Sequence, residues 1–259
     1  MSDRQKCAVL IPVDTHIETD TQLALQELER RGYGVFRTFG CSQIDMVRSQ
    51  MASDFLAKGY EETMWIDSDV GFFPDDVDRI RRNNVPLCAS LYPRKGQRSF
   101  ATKLLPGTSE LPFGKQGGLH EVRYAASGFL HARREVYSRM QEVLHLPTCN
   151  IPVGRGGGVV PYFLSLIVEE EGRYTYLSED YSFCERARRA GFKVMVDTTI
   201  RLWHIGPYRF SWEEAAMGIP RYDQMTVHFN SDGNSVESAV IPEASMDSSG
   251  KAETIKTPQ

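Results

Sequence analysis

Thr63-Met64-Trp65-Ile66-Asp67-Ser68-Asp69 is the stretch that decides how this chain is read. Met64, Trp65 and Ile66 form an apolar run of the kind that ends a buried strand. Two carboxylates, Asp67 and Asp69, follow where the chain leaves the sheet. Gly71 and then Pro74-Asp75-Asp76 mark a turn and a helix start, with proline at the first helical position. A strand, an acidic exit and a helix in that order predict an open α/β sheet, which binds ligands just beyond the carboxyl ends of its strands. Carboxylates placed there suit a hard divalent cation, which in turn holds phosphate. Asp75, Asp76 and Asp78 read more simply as acids favoured at a helix N-terminus.

Working outward toward the N-terminus, strand and helix patterns alternate. Cys7–Pro12 reads as a strand, Ile17–Arg31 as a helix closed by Gly32, and Tyr33–Phe39 as a strand. Ile44, Val47, Met51 and Phe55 fall at near-helical spacing, so Gln43–Lys58 is an amphipathic helix with Gly59 as its C-cap. Thr63–Asp67 is a strand, Pro74–Asn83 a helix and Pro86–Tyr92 a strand. This alternation predicts an α/β class with a mostly parallel central sheet, helices on both faces and right-handed crossovers.

Past Tyr92 the rhythm changes, and Ser99–Leu105 and Leu119–Ala125 predict a small antiparallel portion around a Gly/Pro loop. Phe129–Ala132 reads as a strand leading into a helix over Arg133–Leu144. Pro147–Pro161, with Arg155-Gly156-Gly157-Gly158 inside it, has the make-up of a mobile functional loop. Glu179–Ala190 is a helix ended by Gly191, and Lys193–Asp197 and Ile200–His204 are short strands. Residues 1–230 form one domain. Residues 231–259 have the composition of a disordered tail.

Composition narrows the function. The chain has 259 residues, 41% of them apolar and 25% charged, with a net charge of −4. That balance is ordinary for a globular protein and gives no electrostatic reason to expect nucleic acid. No stretch approaches a membrane span, and the residues before Cys7 do not make a signal peptide. Cys7, Cys41, Cys88, Cys149 and Cys184 are scattered, without Cys-x-x-Cys spacing. They read as small buried hydrophobes in a reducing, cytoplasmic setting.

A second signature is Tyr176-Leu177-Ser178-Glu179-Asp180-Tyr181-Ser182-Phe183-Cys184-Glu185-Arg186, and a third is Trp203-His204-Ile205-Gly206. Taken singly, each has a plain reading. Ser178-Glu179-Asp180 is an ordinary capped helix start. His204 alone reads as structural, Trp203 and Trp65 as packing, and Arg186, Arg188 and Arg189 as a solvated helix face. In the order Asp-x-Asp strand, Ser-Gly-Phe strand, Glu-Asp helix start and His-x-Gly, the chain resembles the GT-A glycosyltransferases. These are nucleotide-sugar transferases built on a single Rossmann-like domain, and the likeness is to the small bacterial and viral branch related to family 2. It spans roughly Cys7 to Gly206.

The resemblance implies roles residue by residue. Pro12, Val13 and Asp14 end the first strand, where such enzymes meet the nucleoside. Arg48 stands where a basic residue contacts the nucleotide, and is equally readable as a surface helix residue. Asp67, with Ser68 beside it, faces the ribose or the water shell of a cation. Asp69 binds that cation directly, with Asp67 and His204 completing a set whose mixed ligands suit Mn²⁺ or Mg²⁺. Asp180 is the candidate base beside the acceptor hydroxyl, Glu179 its alternative, and Ser127, Gly128 and Phe129 line the acceptor side. Arg155 closes over the diphosphate, and Arg94, Lys95 and Arg98 form a second basic group.

The implied reaction is transfer of a sugar from a UDP- or GDP-sugar to the hydroxyl of a carbohydrate, lipid-linked or other acceptor. Two other classes compete. A sugar nucleotidyltransferase shares the sheet, but carries a Gly-rich basic segment directly after its first strand, where this chain has Pro12-Val13-Asp14-Thr15-His16. A non-catalytic nucleotide- or carbohydrate-binding module has no need of a base such as Asp180.

Overall fold

The structure, a computed structural model, describes residues 3–40, 42–96, 99–150, 157–170, 172–207, 209–211, 224–233 and 235–239. The first half holds β1 (Cys7–Val13), α1 (Thr19–Arg30), β2 (Gly34–Phe39), α2 (Ile44–Ala57), β3 (Glu62–Ile66), β4 (Val70–Gly71), α3 (Pro74–Arg82) and β5 (Leu87–Ala89). The middle holds β6 (Thr102–Lys103), β7 (Glu110–Gly114), β8 (Leu119–Val122), β9 (Tyr124–Ala125), β10 (Phe129–Arg133) and α4 (Arg134–Val143). The last part holds β11 (Leu166–Glu170), β12 (Arg173–Leu177), α5 (Glu179–Arg189), β13 (Val194–Asp197), β14 (Trp203–Ile205), β15 (Arg209–Phe210), β16 (Gln224–Phe229) and β17 (Ser235–Ala239).

A seven-stranded sheet in the order β2-β1-β3-β10-β5-β13-β8 forms the centre. Strands β2, β1, β3, β5 and β13 run one way, while β10 and β8 run against them. The class is α/β with a mostly parallel sheet. Period-two alternation along each strand feeds two separate cores. Ala8, Leu10, Trp65, Leu87, Ala89, Leu130 and Ala132 face helices α2, α4 and α5. Cys7, Val9, Ile11, Met64, Ile66, Cys88 and Phe129 face α1 and α3, where Leu25, Leu28, Val77 and Ile80 meet them.

Local chemistry fixes the element ends. Gly32, Gly59 and Gly191 follow α1, α2 and α5 with φ of +90°, +88° and +95°, the left-handed C-cap that glycine adopts without strain. Pro74 opens α3, and the Asp76 carboxylate accepts the Phe73 N–H at 3.0 Å.

Several features differ from the sequence reading. A hairpin, β11 with β12, lies where no strand was expected. Strand β7 pairs with β16 from the far end of the chain. Strand β17, inside the stretch whose composition reads as disordered, pairs with β16. Arg186 is buried and donates to the Leu164 carbonyl at 2.5 Å, so it is no part of a solvated face. Cys7, Cys88 and Cys184 are core residues, whereas Cys149 is exposed; Cys41 lies outside the described residues. No described helix is long and apolar enough to cross a membrane.

Candidate active site

The carboxyl edge of the sheet gathers most of the residues singled out above. Asp67 leaves β3 opposite the start of β10, and its N–H donates to the Gly128 carbonyl at 3.0 Å. Gly128 is there for want of space. A Cβ on it would stand 2.3 Å from the Tyr92 hydroxyl and 2.7 Å from Oδ2 of Asp67. The same glycine donates its N–H to the Tyr92 hydroxyl at 3.2 Å. Sequence reasoning missed Tyr92; the only signal was an aromatic before Pro93 at a strand's carboxyl end.

Asp69 and His204 meet through a short antiparallel ladder. Strand β14 pairs with β4, setting His204 opposite Val70, and the Ile205 N–H donates to the Asp69 carbonyl at 2.7 Å. Nδ1 of His204 stands 3.0 Å from the Pro93 carbonyl, which can only accept, so Nδ1 carries the proton. Nε2 on the far side of the ring faces Oδ2 of Asp69, 3.6 Å away. Lys95 donates to that same Oδ2 at 2.7 Å. Burial raises the Asp69 pKa, but His204 and Lys95 outweigh it and bring the carboxyl down to about 2.

Arg48 is not the surface helix residue that its plainer reading gave. It is only 2% exposed, on α2, with its guanidinium over the Trp65 and Phe163 rings. Nη2 donates to Oδ1 of Asp67 at 2.5 Å, and Nε lies 3.7 Å from Oε1 of Glu179. Burial works against its charge, but Asp67 and Glu179 more than offset this and its pKa is raised.

Glu179 and Asp180 open α5 on the other side of Arg48. Oδ1 of Asp180 accepts from the Ser178 hydroxyl and from the Tyr181 N–H, the latter at 2.7 Å. Burial pushes both carboxyl pKa values up, Asp180 raising Glu179 and Asp67 raising Asp180. A carboxylate with a raised pKa is a better proton acceptor near neutrality. Arg94 reaches the neighbouring Tyr181 hydroxyl at 3.3 Å.

Other expected positions are placed differently. Pro12 and Val13 are buried and Asp14 is exposed. Ser68 holds the start of α1 through its carbonyl, which accepts the Glu18 N–H at 2.8 Å. Phe129 does not line an acceptor side: it is fully buried and packs on Phe72, because alternation along β10 turns it to the α1 and α3 core. Ser127 is buried beside Gly128 with no hydrogen-bond partner for its hydroxyl. Arg155 and Arg98 lie outside the described residues. Near the end of the expected mobile loop Val160 donates to the Ser53 hydroxyl of α2 at 2.9 Å, and just past the loop Phe163 donates to the Ser49 hydroxyl at 3.1 Å. A cavity of about 680 Å³ beside β13, lined by Arg79, Asn83, Asp197 and Arg201 among others, includes none of these residues.

The expected metal set is therefore gathered only in part. Among the described residues no three His, Cys, Asp or Glu side chains converge as metal ligands. Asp69 and His204 could hold a cation between them, since a carboxylate oxygen and an imidazole nitrogen stand 3.6 Å apart and the Pro93 carbonyl fixes the ring through Nδ1. Asp67 is turned to Arg48 instead.

No family model matches the sequence, and no curated protein matches it. Solved structures do. The crystal structure of A197 from STIV shares 14% identity over 79% of this chain and 88% of that one, with a TM-score of 0.48. A glycosyltransferase involved in the glycosylation of the major capsid of PBCV-1 shares 13% over 54% and 65%, with a TM-score of 0.30. The inositol-1-phosphate CTP transferase from T. maritima shares 10% over 79% and 91%, with a TM-score of 0.37. Each superposes too loosely to lend this chain a function.

Proposed function

We propose that the protein is a glycosyltransferase that moves a sugar from a nucleoside-diphosphate sugar, UDP or GDP, to an acceptor hydroxyl. One observation carries this reading. Two carboxyls of raised pKa, Glu179 and Asp180, open α5 on one side of Arg48, and Asp67, two residues before Asp69 of the cation-suited Asp69–His204 pair, lies on the other. A proton acceptor on one side and a place for diphosphate charge on the other is what displacement of a diphosphate by a hydroxyl needs.

In this reading Asp180 takes the proton of the acceptor hydroxyl, with Glu179 as its alternative. The freed oxygen pair attacks the anomeric carbon, and the bond to the diphosphate oxygen breaks with its electrons. Lys95, beside Asp69, takes up charge on the departing diphosphate. Asp67 faces the ribose. Asp69 and His204 would hold a divalent cation, Mn²⁺ or Mg²⁺, and bound there it would supply Lewis-acid neutralisation of diphosphate charge.

A sugar nucleotidyltransferase is the runner-up, disfavoured by the exposed Asp14-Thr15-His16 after β1 where such enzymes have glycines and cations. Incubation with UDP- and GDP-sugars, with and without Mn²⁺, separates the readings. The transferase releases nucleoside diphosphate, the nucleotidyltransferase makes or consumes triphosphate, and a binding module does neither. Triphosphate turnover, or no turnover with any donor, would overturn the proposal.

A further inference from the structure

Arg48 presents an anomaly that the reaction above does not use. A buried guanidinium ordinarily has its donors satisfied, because unmet donors in a low-dielectric setting are costly. Here one nitrogen is met. Nη2 is taken by Asp67 at 2.5 Å, Nε falls short of Glu179 at 3.7 Å, and Nε and Nη1 have no hydrogen-bond partner. The side chain cannot escape to water, being 2% exposed and wedged over Trp65 and Phe163. Its two carboxylate neighbours come from elements far apart in sequence, the exit of β3 and the start of α5. The arrangement is lopsided, with a strong pair on one side and an unclosed gap on the other.

We propose that Arg48 is a positioning residue shared between the two halves of the site, its guanidinium divided between Asp67 and Glu179 so that loading one carboxylate hands it to the other. The assignment of Asp67 to the donor half and Glu179 to the acceptor half rests on the glycosyltransferase reading. When a donor nucleotide engages Asp67, the pull on Nη2 weakens and the unmet Nε closes on Glu179. That movement draws the start of α5, and Asp180 with it, into a fixed position only once donor is present. Donor binding thus precedes assembly of the acceptor half. The alternative, a guanidinium that merely props up Asp67, leaves the unmet donors beside Glu179 unexplained.

The test needs no acceptor. Urea unfolding midpoints are measured for the full chain, Asp67→Asn, Glu179→Gln and the double variant. Losing either carboxylate leaves Arg48 with the other, whereas losing both leaves the buried cation only the charge of Asp180. The double variant should therefore lose more than the sum of the singles, and the excess should vanish in an Arg48→Met background. If Arg48→Met does not fold, Arg48→Lys serves, since its single nitrogen cannot span both carboxylates and the excess should shrink. Additivity in the Arg48 background overturns the proposal. A second readout is calorimetric titration of UDP and GDP with Mn²⁺. Glu179→Gln should weaken nucleotide binding by about three- to tenfold, and the same change in Arg48→Lys should not. Unchanged affinity in the first comparison also overturns it. Wild-type protein that binds neither nucleotide defeats the donor reading, and the unfolding cycle then decides the sharing of Arg48 by itself.

Discussion

Nζ of Lys95 stands 2.7 Å from Oδ2 of Asp69, on the oxygen that His204 also faces. An ammonium and a divalent cation cannot both occupy that oxygen at full strength. Lys95→Met should therefore tighten Mn²⁺ binding to the free protein, by roughly threefold or more if the exposed pair is worth the usual fraction of a kcal/mol to about one. Asp69→Asn should abolish it, and His204→Ala should weaken it less. Calorimetry with Mn²⁺ alone reads all three; weaker binding in Lys95→Met would mean that Lys95 assists the cation instead of holding its place.

Asp180→Asn should leave nucleotide affinity nearly intact and remove transfer. Asn keeps an oxygen for the Ser178 hydroxyl and the Tyr181 N–H, so the start of α5 stays formed. It cannot take a proton, and the loss belongs in the chemical step, on the order of 10²–10⁴-fold. Donor affinity and single-turnover rate are compared on one preparation. A full rate in the variant moves the base to Glu179.

Gly128→Ala should destabilise the fold and disturb Asp67 together. Its new methyl would meet the Tyr92 hydroxyl at 2.3 Å and Oδ2 of Asp67 at 2.7 Å. Overpacking of this kind costs about 1–3 kcal/mol. Tyr92→Phe removes the nearest atom, so adding it to Gly128→Ala should recover part of the loss. Urea midpoints of the two variants check this, and no recovery would place the clash on Asp67.

Asp76 should give stability an unusual slope in weak acid. Burial raises its pKa from 3.8 to about 6, so between those values the native state holds a proton that the unfolded chain has lost. Stability contributed by this group is complete below about pH 4 and falls as pH rises toward 6. Asp76→Asn keeps an acceptor for the Phe73 N–H and removes the slope, a difference of about 2–3 kcal/mol at neutral pH. Unfolding free energies at several pH values between 4 and 7 measure it. Parallel profiles for wild type and variant would show that Asp76 titrates normally.

What was legible in the sequence follows from how local each signal is. The three C-cap glycines, the Pro74 helix start and the acidic exit of β3 depend on neighbours within a few positions, and the structure has them where the residues point. The hairpin of β11 and β12 is not legible because its outer face carries Ile167, Tyr174 and Tyr176 exposed to solvent, a pattern no burial argument expects. The side to which Phe129 turns is not legible because a strand's alternation tells which residues share a face, not which core that face meets. The partner of Arg48 depends on how α2 lies across Trp65, which no spacing in the sequence encodes. Asp69, His204 and Asp180 were legible as types at strand and helix ends; Tyr92 and the crowding at Gly128 arise only from packing.

The ladder between β4 and β14 has a consequence for the order in which the molecule is made. Both acids of the Asp67–Asp69 exit emerge early in synthesis, and most of the parallel strands can pair soon after. The imidazole that faces Asp69 belongs to β14, which cannot pair with β4 until nearly all of the described chain has left the ribosome. A chain stopped before Trp203 can thus form a nearly complete sheet in which no imidazole faces Asp69, and the Asp69–His204 pair comes together in a late step, when a three-residue strand closes on a two-residue one.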